Sequence, residues 1–304
     1  MIMTQSPLNY TGGKFKLLPQ ILPFFPQNIH KFVDIFCGGG DVGVNVQCES
    51  VIFNDLNPNV VGILQALREL DKEETIQIIN DTIEHFNLSN VSEHGYDFYG
   101  CNSSKGVGFY NREHFNQLKI FFNQTERRDN YYYILLYVLV IFSFNNQIRF
   151  NNRGEFNLPV GKRDFNSKMQ TKLNAFIDRL KEIDCNFLNV DFRNFSVEDL
   201  EENDFIYADP PYLITCATYN EQGGWDENLE HSLYKYLNEL NANHIRFALS
   251  NVLTSKGKTN HILRKWLEDN PYYTCHHLNY KYSNSNYQVK DRVSNSDEVL
   301  ITNY

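Results

Sequence analysis

The residues with the most evident chemistry are Asp209, Pro210 and Tyr212, in the run Ala208-Asp209-Pro210-Pro211-Tyr212. The preceding residues, 204–207, are mostly apolar and read as a buried strand. Two prolines end that strand, because proline fixes φ and offers no N–H to a ladder. Asp209 is thereby held at the carboxyl edge of a sheet, which is where ligands bind in open α/β sheets. A carboxylate, a stiff carbonyl and an aromatic face suit a flat base with an exocyclic amine. The Asp209 carboxylate and the Pro210 carbonyl can accept the two amine hydrogens, while the Tyr212 ring stacks on the base. A strand-ending turn that merely happens to be rich in proline is the plain alternative.

A second group lies near the start of the chain. Tyr10 offers a ring face, Gly12-Gly13 permits close backbone approach, and Lys14 supplies a cation for an acid group. A strand over 31–36 then leads into Cys37-Gly38-Gly39-Gly40-Asp41-Val42-Gly43. Gly38, Gly40 and Gly43 satisfy the G-x-G-x-x-G pattern, which fits a dinucleotide loop as well as an adenosyl-ligand loop. The next strand, over 51–54, ends in Asp55. An acid at that tip commonly takes the two hydroxyls of a ribose, though here it comes early for dinucleotide spacing.

The elements that must position these groups alternate. Helices are expected over 57–70, 72–86, 110–123, 130–143 and 167–182, with 88–108 a polar loop. Strands over 187–190 and 205–207 are followed by helices over 227–240 and 259–268. A strand over 245–249 ends in a polar tip, Ser250-Asn251. Strands over 272–279 and 298–302 close the chain, and the polar stretch 281–296 reads as a mobile loop near the ligand edge. Within 145–161, apolar residues alternate at 148, 150, 156 and 158 around Asn-Arg-Gly, which predicts a hairpin. Its polar side carries Asn145, Arg149, Asn151, Arg153 and Asn157. Amides and arginines of this kind read base edges and contact phosphates.

Charge distribution agrees with such a partner. The chain of 304 residues has net charge −9, yet residues 101–181 hold 13 Lys/Arg and 6 Asp/Glu, leaving −16 for the remainder. A polyanion senses the local field of a basic patch more than the total charge. The six cysteines form no CxxC pair or metal spacing and read as reduced thiols, and no metal site is expected. His276-His277 reads as structural. The first residues lack a basic and apolar leader pattern, so a cytoplasmic protein is expected. The longest apolar run, 131–144, falls short of the about 20 residues that span a bilayer.

Four motifs occur in order: Asn9-Tyr10-Thr11-Gly12-Gly13-Lys14, Asp34-Ile35-Phe36-Cys37-Gly38-Gly39-Gly40, Asn54-Asp55-Leu56-Asn57 and Asp209-Pro210-Pro211-Tyr212. Together they resemble the Dam-type, alpha-group DNA adenine-N6 methyltransferases, and Arg149, Asn151, Gly154, Phe156 and Asn157 resemble that family's recognition segment. Position 10, often tryptophan in the family, is tyrosine here. The last third looks closer to the methyltransferases of type IIS restriction systems. The resemblance implies an α/β fold: a Rossmann-like, S-adenosylmethionine-dependent methyltransferase sheet with a small helical, hairpin-bearing DNA-recognition domain inserted. The catalytic domain would occupy 1–60 and 181–304, and the target-recognition domain 61–180. It implies methyl-donor contacts at Tyr10, Lys14, Asp34, Phe36, Gly38, Gly40, Asp55 and Asp209. It further implies double-stranded DNA as partner, a flipped-out adenine as substrate and a cognate restriction endonuclease. Three rivals are a cytosine-N4 methyltransferase, a nicotinamide oxidoreductase built on the glycine loop, and a non-catalytic DNA-binding protein.

Overall fold

The computed structural model of the chain describes residues 3–9, 12–215, 224–279 and 296–304. They form two compact units. One comprises Met1–Gly13, Gly38–Asn45 and Asn57–Phe187; the other comprises Lys14–Cys37, Val46–Leu56 and Leu188–Tyr304.

The first unit is helical. It contains α1 (Pro58–Glu69), α2 (Lys72–His85), α3 (Val91–Phe98), α4 (Gly108–Gln124), α5 (Asn130–Phe142) and α6 (Ser167–Glu182). Local signals start several of them. Asn57 accepts from Asn59 N and precedes Pro58 at the first helical position, and Asp129 and Asn166 cap α5 and α6 in the same way. Helix α5 is apolar on all sides, and Tyr132 and residues 134–142 are buried, as expected of a central helix. It packs on α1, α2 and α4. Gly62 permits the approach of α1 to α5, since a Cβ there would lie 2.2 Å from the Tyr133 ring.

Helix α3 occupies part of 88–108, where a loop is expected. Its start is anchored from a distance: Val91 N donates to Asp164 Oδ2 at 2.7 Å, as does Ser89 Oγ at 3.2 Å. Asn111 completes the buried network by bonding the Ser89 backbone and hydroxyl. Burial holds the Asp164 carboxyl above the usual carboxylate range.

The second unit carries the sheet. The strands are β1 (Ile29–Asp34), β2 (Cys48–Asn54), β3 (Cys185–Leu188), β4 (Phe205–Ala208), β5 (Arg246–Ser255), β6 (Lys258–Thr259), β7 (Thr274–Leu278) and β8 (Asp297–Thr302), with β3 running across the unit boundary between Phe187 and Leu188. The order is β3-β2-β1-β4-β5-β8-β7, with β6 paired to β5 alone. Strands β2, β1, β4 and β5 run parallel, β8 is antiparallel to β5, and β7 is antiparallel to β8 and so runs with the parallel set. In this register Asp34 lies beside Tyr207, and Tyr207 beside Ala248. The strand ends therefore share one edge, from which Asp209 emerges. Alternate residues face two cores. Val33, Ile206, Phe247 and Ile301 pack with α7 (Glu227–Ala242) and α8 (His261–Asp269) on one side. Phe32, Phe205 and Tyr207 meet Phe25 on the other. Each such side chain contributes about 1.5–3 kcal/mol.

Strand β5 runs past its expected end. Ser250 and Asn251, expected as a polar tip, are buried within it. Ser250 Oγ shares a 2.7 Å hydrogen bond with Tyr207 Oη. His277 pairs with Asp297 at 2.7 Å. The expected loop over 281–296 lies outside the described residues but for Ser296. Among the described residues no helix is long and apolar enough to cross a membrane, and the five described cysteines form no disulfide.

Candidate functional site

Asp209 follows β4, whose four residues are all buried. Its side chain is 17% exposed and engages both oxygens. Lys14 Nζ, on a side chain 4% exposed, lies 2.8 Å from Oδ2, and Tyr212 Oη donates to Oδ1 at 3.0 Å. Lys14 Nζ also sits 4.9 Å from the Tyr212 ring centroid, a favourable cation–π arrangement. Lys14 is positioned by the 3₁₀ turn it begins, its carbonyl accepting from Leu17 and Leu18 N at 2.8 and 3.0 Å. Burial raises the Asp209 carboxyl above its ordinary range, and the Lys14 ammonium and Tyr212 hydroxyl pull it back. Pro210 is buried, while Tyr212 is half-buried. The Tyr212 hydroxyl is thus tied to the carboxylate, a bond the stacking role did not anticipate.

The neighbouring strand ends are stitched together by Asn54. Its Nδ2 donates to the carbonyls of Ile35 and Val190 at 2.9 and 3.0 Å, and its Oδ1 accepts from Val190 N at 3.0 Å. Cys37 N donates to Asn54 O at 2.8 Å. This holds Asp34, Phe36 and Asp55 at the tips of β1 and β2. Asp34 is 1% and Asp55 9% exposed. Burial pushes the Cys37 thiol well up, and the Asp55 and Asp34 carboxylates add to the effect. Phe36 meets Phe192 and Trp225 at centroid distances of 5.4 and 5.7 Å. No motif in the sequence marks Phe192 and Trp225, and Asn54, which opens the motif Asn54-Asp55-Leu56-Asn57, carries a bracing role beyond it. Phe192 opens the 3₁₀ turn Phe192–Asn194 just beyond β3, so an aromatic residue following a strand tip was the available signal.

Gly38 and Gly40 belong to the helical unit. Their φ values of +48° and +80° are readily adopted only by glycine. The loop is braced by the N-terminal strap: Asp41 accepts from Ser6 N, and Asn45 exchanges two hydrogen bonds with Thr4. Gly43 opens only a one-turn 3₁₀ helix, Gly43–Asn45, before β2 begins. A dinucleotide loop instead aims a long helix N-terminus at the pyrophosphate, so this geometry disfavours the nicotinamide rival. Tyr10 lies outside the described residues.

The hairpin exists as two isolated bridges, Ser143 with Val160 and Phe150 with Phe156, rather than as continuous strands. Its tip closes by Gly154 N donating to Asn151 O at 2.9 Å. Asn151 Oδ1 accepts from the Arg153 and Glu155 backbones, so this residue shapes the turn. Arg149 Nε donates to Asn157 Oδ1 at 2.7 Å, clamping the hairpin arms. Asn145 and Arg153 are exposed, and Asn145 has a left-handed φ of +57°. Two basic side chains of the helical unit have structural partners: Arg128 covers the Tyr132 ring at 4.1 Å, and Arg179 bonds Val44 O at 2.8 Å.

Comparison with known proteins agrees with this architecture. The family profile described as D12 class N6 adenine-specific DNA methyltransferase matches residues 10–284. The chain is 39% identical over 306 aligned residues to the type II methyltransferase M.FokI of Planomicrobium okeanokoites, covering 99% of this chain and 43% of that protein. It is equally identical, with the same coverage, to the modification methylase StsI of Streptococcus sanguinis. A DNA adenine methylase of Escherichia coli is 24% identical over 213 residues, 70% of this chain and 66% of that one. The chain therefore spans less than half the length of the first two relatives.

Proposed function

The chain belongs to the D12 class N6 adenine-specific DNA methyltransferase family, and we propose that it transfers a methyl group from S-adenosylmethionine to N6 of an adenine flipped out of duplex DNA. The observation that carries this reading is Asp209 at the end of β4, followed by Pro210 and held by Lys14 and Tyr212. Adenine N6 is a poor nucleophile because its lone pair is delocalised into the ring. Asp209 and the Pro210 carbonyl accept its two hydrogens and draw the nitrogen toward tetrahedral geometry, which frees the lone pair for attack. Catalysis is then positioning and preorganised electrostatics. The target atom is inaccessible within a duplex, so the base must leave the stack, and Tyr212 is its stacking surface.

The residues at the strand tips fit the methyl donor. Asp55 suits ribose hydroxyls, and Phe36 with Phe192 offers an apolar aromatic wall for a purine. Asp34, Gly38, Gly40, Tyr10 and Lys14 complete the proposed set. When bound, S-adenosylmethionine supplies a sulfonium methyl group open to nucleophilic displacement. The proposed target-recognition region is 61–180, which is part of the helical unit, and the proposed catalytic region is formed by 1–60 and 181–304. Exposed Asn145 and Arg153 are the direct DNA contacts, while Arg149, Asn151 and Asn157 hold the hairpin that presents them. A restriction-modification system in the cytoplasm, with a cognate endonuclease, is the proposed setting.

The test is incubation with tritiated-methyl S-adenosylmethionine and mixed-sequence duplex DNA, followed by nucleoside analysis. Label in N6-methyladenine at one short motif is expected. Label in N4-methylcytosine would replace the substrate. Salt-dependent DNA binding without label would leave a protein that only binds.

A further inference from the structure

Glu230, on the first turns of α7, is a fully buried carboxylate that the chemistry above does not use. Among the described residues no cation pairs with it. Four donors converge on it instead. Trp225 Nε1 donates to Oε2. Tyr234 Oη donates to Oε1, as do Asn251 Nδ2 at 3.2 Å and Asn260 Nδ2 at 2.9 Å. Asn251 lies in β5, and Asn260 caps α8 by accepting from Leu263 N. One buried carboxyl group thus joins α7, β5, the start of α8 and Trp225. Burying so polar a group is costly unless it is hydrogen-bonded, and packing alone does not require it here.

The two oxygens have different duties. Oε1 serves the three donors that bind core elements together. Oε2 serves Trp225, whose ring meets the Phe36 ring edge-on at 5.7 Å and the Phe192 ring at 5.9 Å. Phe36 and Phe192 are themselves 5.4 Å apart. Among the described residues the Trp225 indole N–H donates to Glu230, and that bond fixes the ring's rotation against Phe36 and Phe192. We propose that Glu230 is a positioning residue for the methyl-donor site, orienting Trp225 so that it sets Phe36 and Phe192 at the strand tips. This rests on the methyltransferase reading, in which those two rings wall the purine.

Glu230→Gln separates the two duties. All four partners donate, and the amide keeps one acceptor oxygen. The three-donor side retains it, which turns the NH₂ against the Trp225 N–H. Trp225→Phe removes that N–H and relieves the clash. The full-length protein and the E230Q, W225F and double variants would be titrated with S-adenosylmethionine by calorimetry without DNA, beside DNA-binding and thermal-unfolding measurements. The expected result is a rise of about tenfold in the methyl-donor Kd for E230Q, unchanged DNA affinity, and a double variant no weaker than W225F alone. Unchanged donor affinity in E230Q, or donor and DNA affinities falling together with the folded fraction, would overturn the positioning role. Failure of the unaltered protein to bind S-adenosylmethionine would instead overturn the methyltransferase reading itself.

Discussion

Replacing Lys14 with methionine keeps the length of the side chain and removes the ammonium 2.8 Å from Asp209 Oδ2. At an effective dielectric of about 20, a pair at that separation interacts by about 6 kcal/mol. The measurable cost is smaller: removing one partner of a buried pair costs about 3–5 kcal/mol, because the other charge stays buried. Asp209 can escape that cost by taking up a proton. Burial already holds its folded carboxyl above the ordinary range, and Lys14 opposes the rise. Without Lys14 the folded value climbs further. A carboxyl raised in this way binds its proton more tightly folded than unfolded. It therefore destabilises the fold above its folded pKa, and the penalty fades as pH falls toward the unfolded value. Urea unfolding of the two proteins should differ by about 3–5 kcal/mol at about pH 8, with the gap shrinking near about pH 5. The proposed mechanism requires the ionised carboxylate, so the acid limb of the methyl-transfer rate profile should move to higher pH in the variant. A stability gap independent of pH together with an unmoved acid limb would refute the coupling of Lys14 to Asp209.

Other outcomes follow from the same geometry. Asp209→Ala should lower methyl transfer by about 10³-fold or more with duplex DNA binding retained in a gel-shift assay; full activity would remove Asp209 from the mechanism. Tyr137 has a fully buried hydroxyl with no hydrogen-bond partner among the described residues, so Tyr137→Phe should stabilise the protein by about 1–3 kcal/mol in urea titration. A loss of stability there would mean that the hydroxyl is satisfied. Arg149→Ala breaks the clamp to Asn157 and should weaken or relax site choice by loosening the hairpin, read by single-molecule sequencing of methylated DNA. Identical sites methylated at identical rates would dismiss that residue.

Much of this site is written in local signals. Asp-Pro-Pro-Tyr stops a buried strand by proline chemistry alone, and Asn57-Pro58 starts α1 by capping, so both elements fall where expected. The differences arise where distant residues intervene. Helix α3 forms in a polar stretch because Asp164 bonds its first turn. Strand β5 carries Ser250 and Asn251 into the core because Tyr207 and Glu230 bond them. The alternation around Phe150 and Phe156 marks the hairpin, but an Asn-rich turn and side-chain clamps replace most of its ladder. Trp225 and Phe192 join Phe36 through tertiary packing that no spacing in the chain announces.

The division of the chain has a consequence for modularity. From Met1 to Tyr304 the polypeptide changes unit five times, with the strap at 1–13 and the glycine loop at 38–45 both belonging to the helical part. A cassette cut at 57 and 187 would carry the hairpin but leave behind both strap and glycine loop, whose Val44 carbonyl accepts from Arg179 of the cassette. Exchange of recognition regions between relatives would thus have to move three separate pieces of chain together. A single crossover within 14–37 would mismatch loop and strap, whereas substitution within 145–161 could alter the hairpin without disturbing either.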